Sequence, residues 1–181
     1  MRTAPTATRR LAATVVAGVL VLSGCGITHI HDLSFRVDKR LDFISPQSRA
    51  KVHQPVTVSW SMKDFRVAGP KSGEPPSRDA GYFAVFVDRA PIKPDATMKS
   101  VAGGDPACQS DPSCPDKSYL RQHLVFTTTA TSIKLPLIPD LANSKEKYQL
   151  HRITVVLMDT SGHRIGESAW ELDVRIPKAS L

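Results

Sequence analysis

The stretch Val56-Thr57-Val58-Ser59-Trp60-Ser61-Met62 alternates apolar and hydroxyl-bearing side chains over seven positions. Successive side chains of a β-strand point to opposite faces, so the apolar groups share one face and the hydroxyls share the other. Residues 170–176 repeat this alternation with charged residues on the second face. Such strands predict sheets with one buried and one wet face. Trp60 and Trp170 both fall on the apolar face and are predicted to be core residues.

Period-two alternation continues through most of the remaining chain. No segment of ten or more residues holds a 3.6-residue period, so helix is expected only as a turn near 141–145. The stretch Asp159-Thr160-Ser161-Gly162 predicts a tight hairpin turn between the last two strands. About seven short strands without long helices predict an all-β fold, a single antiparallel sandwich, because each sheet must bury its apolar face. The predicted strands are 41–45, 56–62, 82–87, 119–128, 132–137, 150–159 and 165–176.

Two long insertions, 63–80 and 88–117, separate these strands. Both are rich in proline, and the second contains two of the three cysteines. Proline fixes φ and lacks an N–H donor, so the cysteine-containing segment is predicted to form turns without regular structure. Loops longer than about 15 residues are uncommon unless they are functional or disordered. The second insertion is therefore expected to take part in any recognition.

The N-terminus has the pattern of a secretory signal. Arg2, Arg9 and Arg10 precede every acidic residue, and an apolar run follows from Leu11 to Leu22. This run would span about 18 Å as a helix, whereas a membrane hydrocarbon core is about 30 Å thick. A permanent transmembrane anchor is therefore not expected from it.

The leader ends in Leu22-Ser23-Gly24-Cys25, which resembles the lipobox of bacterial lipoproteins. In that family the cysteine thiol is diacylglycerylated and the signal is cleaved just before the cysteine. The resemblance implies that Cys25 becomes an N-palmitoyl, S-diacylglycerol cysteine that anchors the protein on the extracytoplasmic face of the cell membrane. In a two-membrane cell, transfer to the outer membrane would be possible. Residues 1–24 are then the signal peptide, 25–36 a lipidated tether and 37–181 the sandwich domain.

Export and lipidation leave Cys108 and Cys114 as an even pair in an oxidising compartment, so a disulfide is expected between them. Closing so short a loop stabilises a protein by about 2 kcal/mol on the chain-entropy model. The predicted role of this bond is to pin the second insertion. The C-x-x-C spacing of a redox site is absent from the sequence.

A set of spaced core residues extends over the segments 56–60, 81–85, 131–135, 137–139, 148–150 and 166–168. This set resembles strands B, C, E, F and G of fibronectin type III domains, and the resemblance implies an immunoglobulin-like sandwich. The Cys, Trp and Cys signature of true immunoglobulin domains is missing. In the F segment the alternation slips after Leu150, which predicts a β-bulge near His151 or Arg152.

The charge balance argues against a nucleic-acid partner. The 181-residue chain has 24 Lys and Arg against 17 Asp and Glu, a formal charge of +7. Three of these charges belong to the leader, and the remaining basic residues form no stripe that would follow a phosphate backbone. The residual positive charge is expected to favour solubility and weak attraction to an anionic membrane or wall polymer.

No sequence motif predicts catalysis or a cofactor. The chain contains no G-x-S-x-G, no phosphate-binding loop and no H-E-x-x-H. Asp159, Ser161 and His163 are neighbours in the predicted turn, which is more typical of a polar turn than of a catalytic triad. No catalytic residue is therefore predicted.

His29, His31 and Asp32 form the one metal-like group, because period-two spacing on an extended segment aims both imidazoles to one side. Their place in the tether, without visible supporting residues, favours a solvated linker. The main hypothesis is a lipid-anchored envelope protein whose non-catalytic domain binds or scaffolds an unidentified envelope protein or cell-wall component. A metal-handling lipoprotein that uses these three residues is the alternative, and an envelope enzyme built from the insertions is a third.

Overall fold

The computed structural model describes residues 38–70, 72–142 and 145–178, which belong to the unit Val37–Leu181. Within these ranges the chain forms eight strands and two short helices, so the predicted all-β class is confirmed. No helix of these ranges is long and apolar enough to cross a membrane. The helices are α1 (Pro106–Gln109) and α2 (Lys117–Gln122), and a 3-10 turn covers Met98–Ala102. The strands are β1 (Leu41–Ser45), β2 (Val56–Met62), β3 (Arg66–Val67), β4 (Ala80–Val87), β5 (Val125–Thr128), β6 (Ser132–Leu135), β7 (Tyr148–Met158) and β8 (Trp170–Pro177).

The strands form two sheets. The first has the order β1-β2-β6, and both of its strand pairs are antiparallel. In the second, β4 lies between β7 on one side and β3 and β5 on the other, and β8 pairs with β7. The two-residue strand β3 runs parallel to β4, whereas the other pairs of this sheet are antiparallel.

The main core lies between the sheets and consists of residues that alternate along each strand. Val56, Val58 and Trp60 of β2 are buried, as the alternation predicts. The rings of Trp60 and Phe83 meet edge to face with their centroids 5.2 Å apart, which joins β2 to β4. Trp170 is also buried, so both tryptophans are confirmed as core residues.

The outer face of the second sheet is covered at β4, where all eight residues are buried. Tyr82, Ala84 and Phe86 point away from the main core and pack in a second apolar cluster. The second insertion contributes Ile92 to this cluster, and α2 contributes Leu120. The insertion is therefore docked on the sheet, and β4 is apolar at every position because both of its faces are covered.

The insertion contains regular structure, contrary to the prediction of turns alone. The Asp105 side chain caps α1 by accepting a hydrogen bond from the N–H two residues later at 2.9 Å, and Pro106 begins the helix. Proline is favoured there because its φ is already helical and its missing N–H is not needed. The predicted strand over 119–128 is wrong in its first half, since α2 ends at Gln122 and β5 begins only at Val125.

The chain after β6 also differs from expectation in detail. β7 pairs with β8 in continuous register, so the bulge predicted near His151 or Arg152 is absent. The described residues of 141–145 are not helical. The β7–β8 hairpin is confirmed, and Gly162 has the predicted positive φ, +87°, although β8 begins only at Trp170.

The two sides at which the sheets end differ in the backbone pairing of their edge strands. The segment Arg49–Val52, between β1 and β2, lies along the outer edge of β8 and exchanges backbone hydrogen bonds of 2.6–2.9 Å with Asp173 and Arg175. On the other side, β5 pairs only with β4 and β6 pairs only with β2 among the described residues. One side is thus sealed by backbone pairing, and the other keeps two unpaired strand edges.

Candidate functional site

A cleft of about 440 Å³ opens at the side that bears the unpaired edges. Helix α2 contributes Lys117, Leu120 and Arg121 to its lining, and β6 contributes Ile133 and Lys134. All four residues of β5 line it as well. The cleft therefore joins both sheets to the helix that follows the second insertion.

The backbone edge of β5 faces this cleft. Alternate side chains of a strand point to opposite faces of the sheet, so a surface formed by side chains alone would contact every second residue. The cleft is lined by the four consecutive residues Val125–Thr128. Consecutive lining residues indicate that the strand is approached from its edge, where backbone N–H and C=O groups are available.

Helix α2 is positioned by a cap and an apolar anchor. The Asp116 carboxylate accepts a hydrogen bond from the Tyr119 N–H at 2.7 Å and so satisfies one free donor of the first turn. Leu120 is buried in the cluster under the insertion and fixes the rotation of the helix. Lys117 and Arg121 are four residues apart, share one face and are exposed. Anchoring Leu120 thus presents two cations at the cleft.

The insertion braces this helix from behind. Cys108 and Cys114 lie at the expected disulfide distance, with their Cα atoms 5.2 Å apart, and this bond ties α1 to the segment that leads into α2. Partial desolvation, together with a hydrogen bond to the Asp105 carboxylate, raises the pKa of Tyr119 above its ordinary value. The Tyr119 ring also stacks on His123 at 4.1 Å between centroids. The disulfide and the Asp105–Tyr119 contact therefore link α1 to α2.

A buried arginine fastens the insertion to the turn between β7 and β8. The Arg164 guanidinium donates hydrogen bonds to the backbone carbonyls of Ile92, Glu167 and Ser168. The Arg164 N–H donates to the Ala96 carbonyl at 2.8 Å. Burial lowers the pKa of Arg164 because the charged form loses hydration. This side chain therefore connects the start of the insertion to the sheet on which it rests.

The electrostatic character of the cleft is one-sided. Its described lining residues include three exposed cations, two from α2 and one from β6, and no carboxylate. A second groove of about 540 Å³ on the outer side of β7 and β8 is lined by charged residues of both signs. There Arg152 is paired with Asp173 at 3.0 Å and with Glu171 at 3.2 Å. The cleft is the stronger candidate because no described residue of its lining supplies a negative charge to balance its cations.

The turn after β7 brings together Asp159, Ser161 and His163. The Ser161 Oγ lies 2.7 Å from Asp159 Oδ1 and 2.8 Å from His163 Nδ1. The same carboxylate accepts the N–H groups of Ser161 and His163 at 2.9 Å. A triad needs the carboxylate on the second imidazole nitrogen, where it orients the base. The observed hydrogen bonds are those of a polar turn.

The predicted lipidation site Cys25 and the metal-like group His29, His31 and Asp32 lie outside the described residues. Within the described ranges, no group of three or more His, Cys, Asp and Glu side chains is placed to hold a metal ion. His151, which was not assigned a role, is buried and its Nδ1 lies 2.6 Å from the Asp88 carboxylate.

The cleft residues Lys117, Arg121 and Lys134 were not identified from the sequence. One signal for the helix was available, because Asp116 follows a proline and precedes a short run of good helix formers, which is typical of an N-cap. Lys134 shares the cleft with this helix only because the two sheets pack together, and a local sequence pattern cannot predict that packing.

Comparison with known proteins finds no family model, no curated protein and no solved structure that matches the chain. Fold class alone does not define a ligand. The features that bear on function are therefore the cleft itself and the leader.

Proposed function

We propose that the protein is a lipid-anchored, non-catalytic domain of the cell envelope that binds a partner through the cleft between α2, β5 and β6. The observation that carries the binding role is that, among the residues the structure describes, unpaired strand edges coincide with three cations and no carboxylate in one concave surface. Charge of one sign in a concave surface favours an oppositely charged partner.

The anchor rests on the resemblance of residues 22–25 to a lipobox and on the basic, apolar leader before it. A diacylglycerol and an amide-linked acyl chain at Cys25 would provide three acyl chains, and two such signals are already enough for stable membrane attachment. The rest of the tether, residues 26–36, would then form the link to the domain. At the reach of an extended chain, this link spans at most about 45 Å.

The point at which the link enters the domain is held by a cluster of hydrogen bonds. The Asp38 carboxylate accepts hydrogen bonds from the Arg40 guanidinium at 2.9–3.1 Å and from the Ser168 hydroxyl at 2.8 Å. The Asp38 carbonyl accepts from the Trp170 Nε1–H at 2.8 Å. We call this cluster the entry clasp. A pull on the tether would be transmitted to β8 through it.

The proposed fold is an immunoglobulin-like sandwich of the fibronectin type III kind. The orders β1-β2-β6 and β5-β4-β7-β8 support it, because they correspond to sheets A-B-E and C′-C-F-G of such a domain. The short strand β3 and the docked insertion are additions to that plan.

Membrane fractionation of the host cell tests the proposed function. Wild-type protein is expected in the membrane fraction and to be digested by protease added to cells from which any outer barrier has been removed. The Cys25→Ala variant should leave the membrane, whereas a Cys108→Ser/Cys114→Ser control, which keeps the lipobox cysteine, should remain. Equal membrane retention of Cys25→Ala and wild type would contradict the anchor, and so would protection of the wild type inside the cytoplasm.

A further inference from the structure

We propose that the ligand of the cleft is an extended polypeptide segment that carries carboxylate side chains and adds as a strand along the free edge of β5. This inference rests on the proposed binding function and specifies its ligand. It draws on three properties of the cleft: the exposed backbone edge, the different chemistry above and below that edge, and the cations.

The free edge provides the backbone contacts. β5 is antiparallel to β4 through the pairs Phe83↔Thr128 to Phe86↔Val125, and the opposite edge of β5 has no partner strand among the described residues. About half of the N–H and C=O groups of an edge strand point outward and can pair with an added strand. An extended peptide satisfies these groups by main-chain hydrogen bonds, which is the basis of strand addition.

Side chains of an added strand would meet different surroundings on its two faces. α2 packs on the outer face of the sheet through Leu120, which shares the second cluster with Val125. On that side the added strand would run beside Lys117 and Arg121. On the inner side it would approach Ile133, which is half-buried against the main core. A segment that alternates acidic and apolar residues fits this division, because alternate side chains of a strand point to opposite faces.

An anionic wall polymer is the main competing ligand. Its phosphates would use the cations, but it would leave both the strand edge and the apolar inner side without a partner. A polypeptide uses all three features, so the peptide is the better fit to the cleft.

The test uses the protein as the host cell produces it, purified from whole cells dissolved in detergent, and three probes. The first is a fluorescent peptide that alternates Glu and Val, the second has Lys in place of Glu, and the third is a poly(glycerol phosphate) chain. Binding is measured by fluorescence anisotropy for the peptides and by competition for the polymer. The Glu-containing peptide is expected to bind, and the Lys-containing peptide is not.

Charge reversals at the cleft provide the matched variants. Lys117→Glu/Lys134→Glu reverses two of the three cations, and glutamate at the first position of α2 is compatible with the helix dipole. The control, called the Lys93 variant, is Lys93→Glu made together with Lys99→Glu, which makes the same charge change on two exposed residues outside the cleft lining. The double variant should weaken peptide binding roughly tenfold or more, because two attractions become repulsions. The Lys93 variant should bind within about twofold of wild type, and both variants should melt as wild type does.

Amide hydrogen exchange distinguishes strand addition from attraction by charge alone. Peptide binding should slow exchange of the outward-pointing N–H groups of β5. The proposal is overturned if the acidic peptide does not bind, if the cleft and Lys93 variants bind it equally, if the polymer displaces it without slowing β5 exchange, or if β5 exchange is unchanged. Any of these results would leave the proposal of a lipid anchor unaffected. If membrane attachment fails in the fractionation experiment instead, the peptide measurement still tests the ligand of the cleft.

Discussion

Replacing Gly81 by alanine should destabilise the domain by about 4 kcal/mol. Gly81 lies in β4 next to the end of β7, and an added Cβ would lie 1.8 Å from the Met158 carbonyl oxygen and 2.8 Å from the Met158 carbonyl carbon. Both atoms belong to the backbone, so no side-chain rotation relieves the overlap. The two strands must separate locally, and they form the centre of the second sheet.

The magnitude follows from two costs. Inserting a methyl group into a well-packed site costs about 1–3 kcal/mol, with larger values where the surroundings cannot move. The φ of +157° at Gly81 adds about 1 kcal/mol for a residue with a side chain. A protein of this size loses roughly 2–4 °C of melting temperature per kcal/mol, so Gly81→Ala should melt about 10 °C below wild type.

Thermal unfolding followed by circular dichroism measures this difference. The control is Gly104→Ala, because an added Cβ at Gly104 meets no atom within 4 Å and its φ is not in the left-handed region. This control should melt within about 2 °C of wild type. If Gly81→Ala melts as the control does, the close approach of β4 and β7 is not as described and the register between them is wrong.

Three further perturbations test the entry clasp, the disulfide in the second insertion, and the attachment of that insertion through Arg164. The Arg40 hydrogen bonds lower the pKa of Asp38 from 3.8 to about 2, so its stabilisation is present above about pH 4 and lost as pH falls toward 2. Urea unfolding should show Asp38→Asn less stable than wild type by about 1 kcal/mol at pH 7, after allowance for solvent screening, with most of that difference lost by pH 2; a constant difference refutes the linkage. The Cys108→Ser/Cys114→Ser variant should lose about 2 kcal/mol of its free energy of unfolding. Its α1 amides should exchange faster than in wild type, whereas its β4 amides should still exchange only through global unfolding; unchanged α1 exchange contradicts the bracing role. Arg164→Met leaves three carbonyls without their donor, and each loss should destabilise the protein by about 1 kcal/mol. Limited proteolysis should then cut the insertion faster than in wild type; unchanged resistance to the protease would refute the docking role.

The strands with clean alternation were predictable because their burial is decided locally. β2 and β8 each bury one face, and the sequence 56–62 records that face at every second position. β4 was recognised as a strand, but its two buried faces depend on the insertion that covers it. That cover comes from residues that are distant in sequence, so the alternation rule does not report it.

β7 shows why one local deviation was misread. Gln149 and His151 point into the fold, in phase with the buried apolar residues that follow them. The Gln149 Oε1 accepts a hydrogen bond from the Leu141 N–H at 2.8 Å, and His151 lies against Asp88. Because buried polar groups need such partners, an alternation rule that places polar residues outside predicted a bulge where the strand is regular.

The candidate site was predictable only in outline. The second insertion was expected to contribute to recognition, and its end leads directly into α2, which lines the cleft. The helix itself was missed because Tyr119 and the residues up to Thr128 include many strand formers, whereas the Asp116 cap and the burial of Leu120 decide the structure. Lys134 joins the cleft only through the packing of the two sheets.

The intact mass of the protein extracted from the host membrane is the most direct test of the central claim. We expect a chain that begins at Cys25 and carries the additional mass of a diacylglycerol and an amide-linked fatty acid. The Cys25→Ala variant should lack that increment. A wild-type chain that retains residues 1–24, or one that begins at an unmodified Cys25, would contradict the proposal of a lipid-anchored envelope protein.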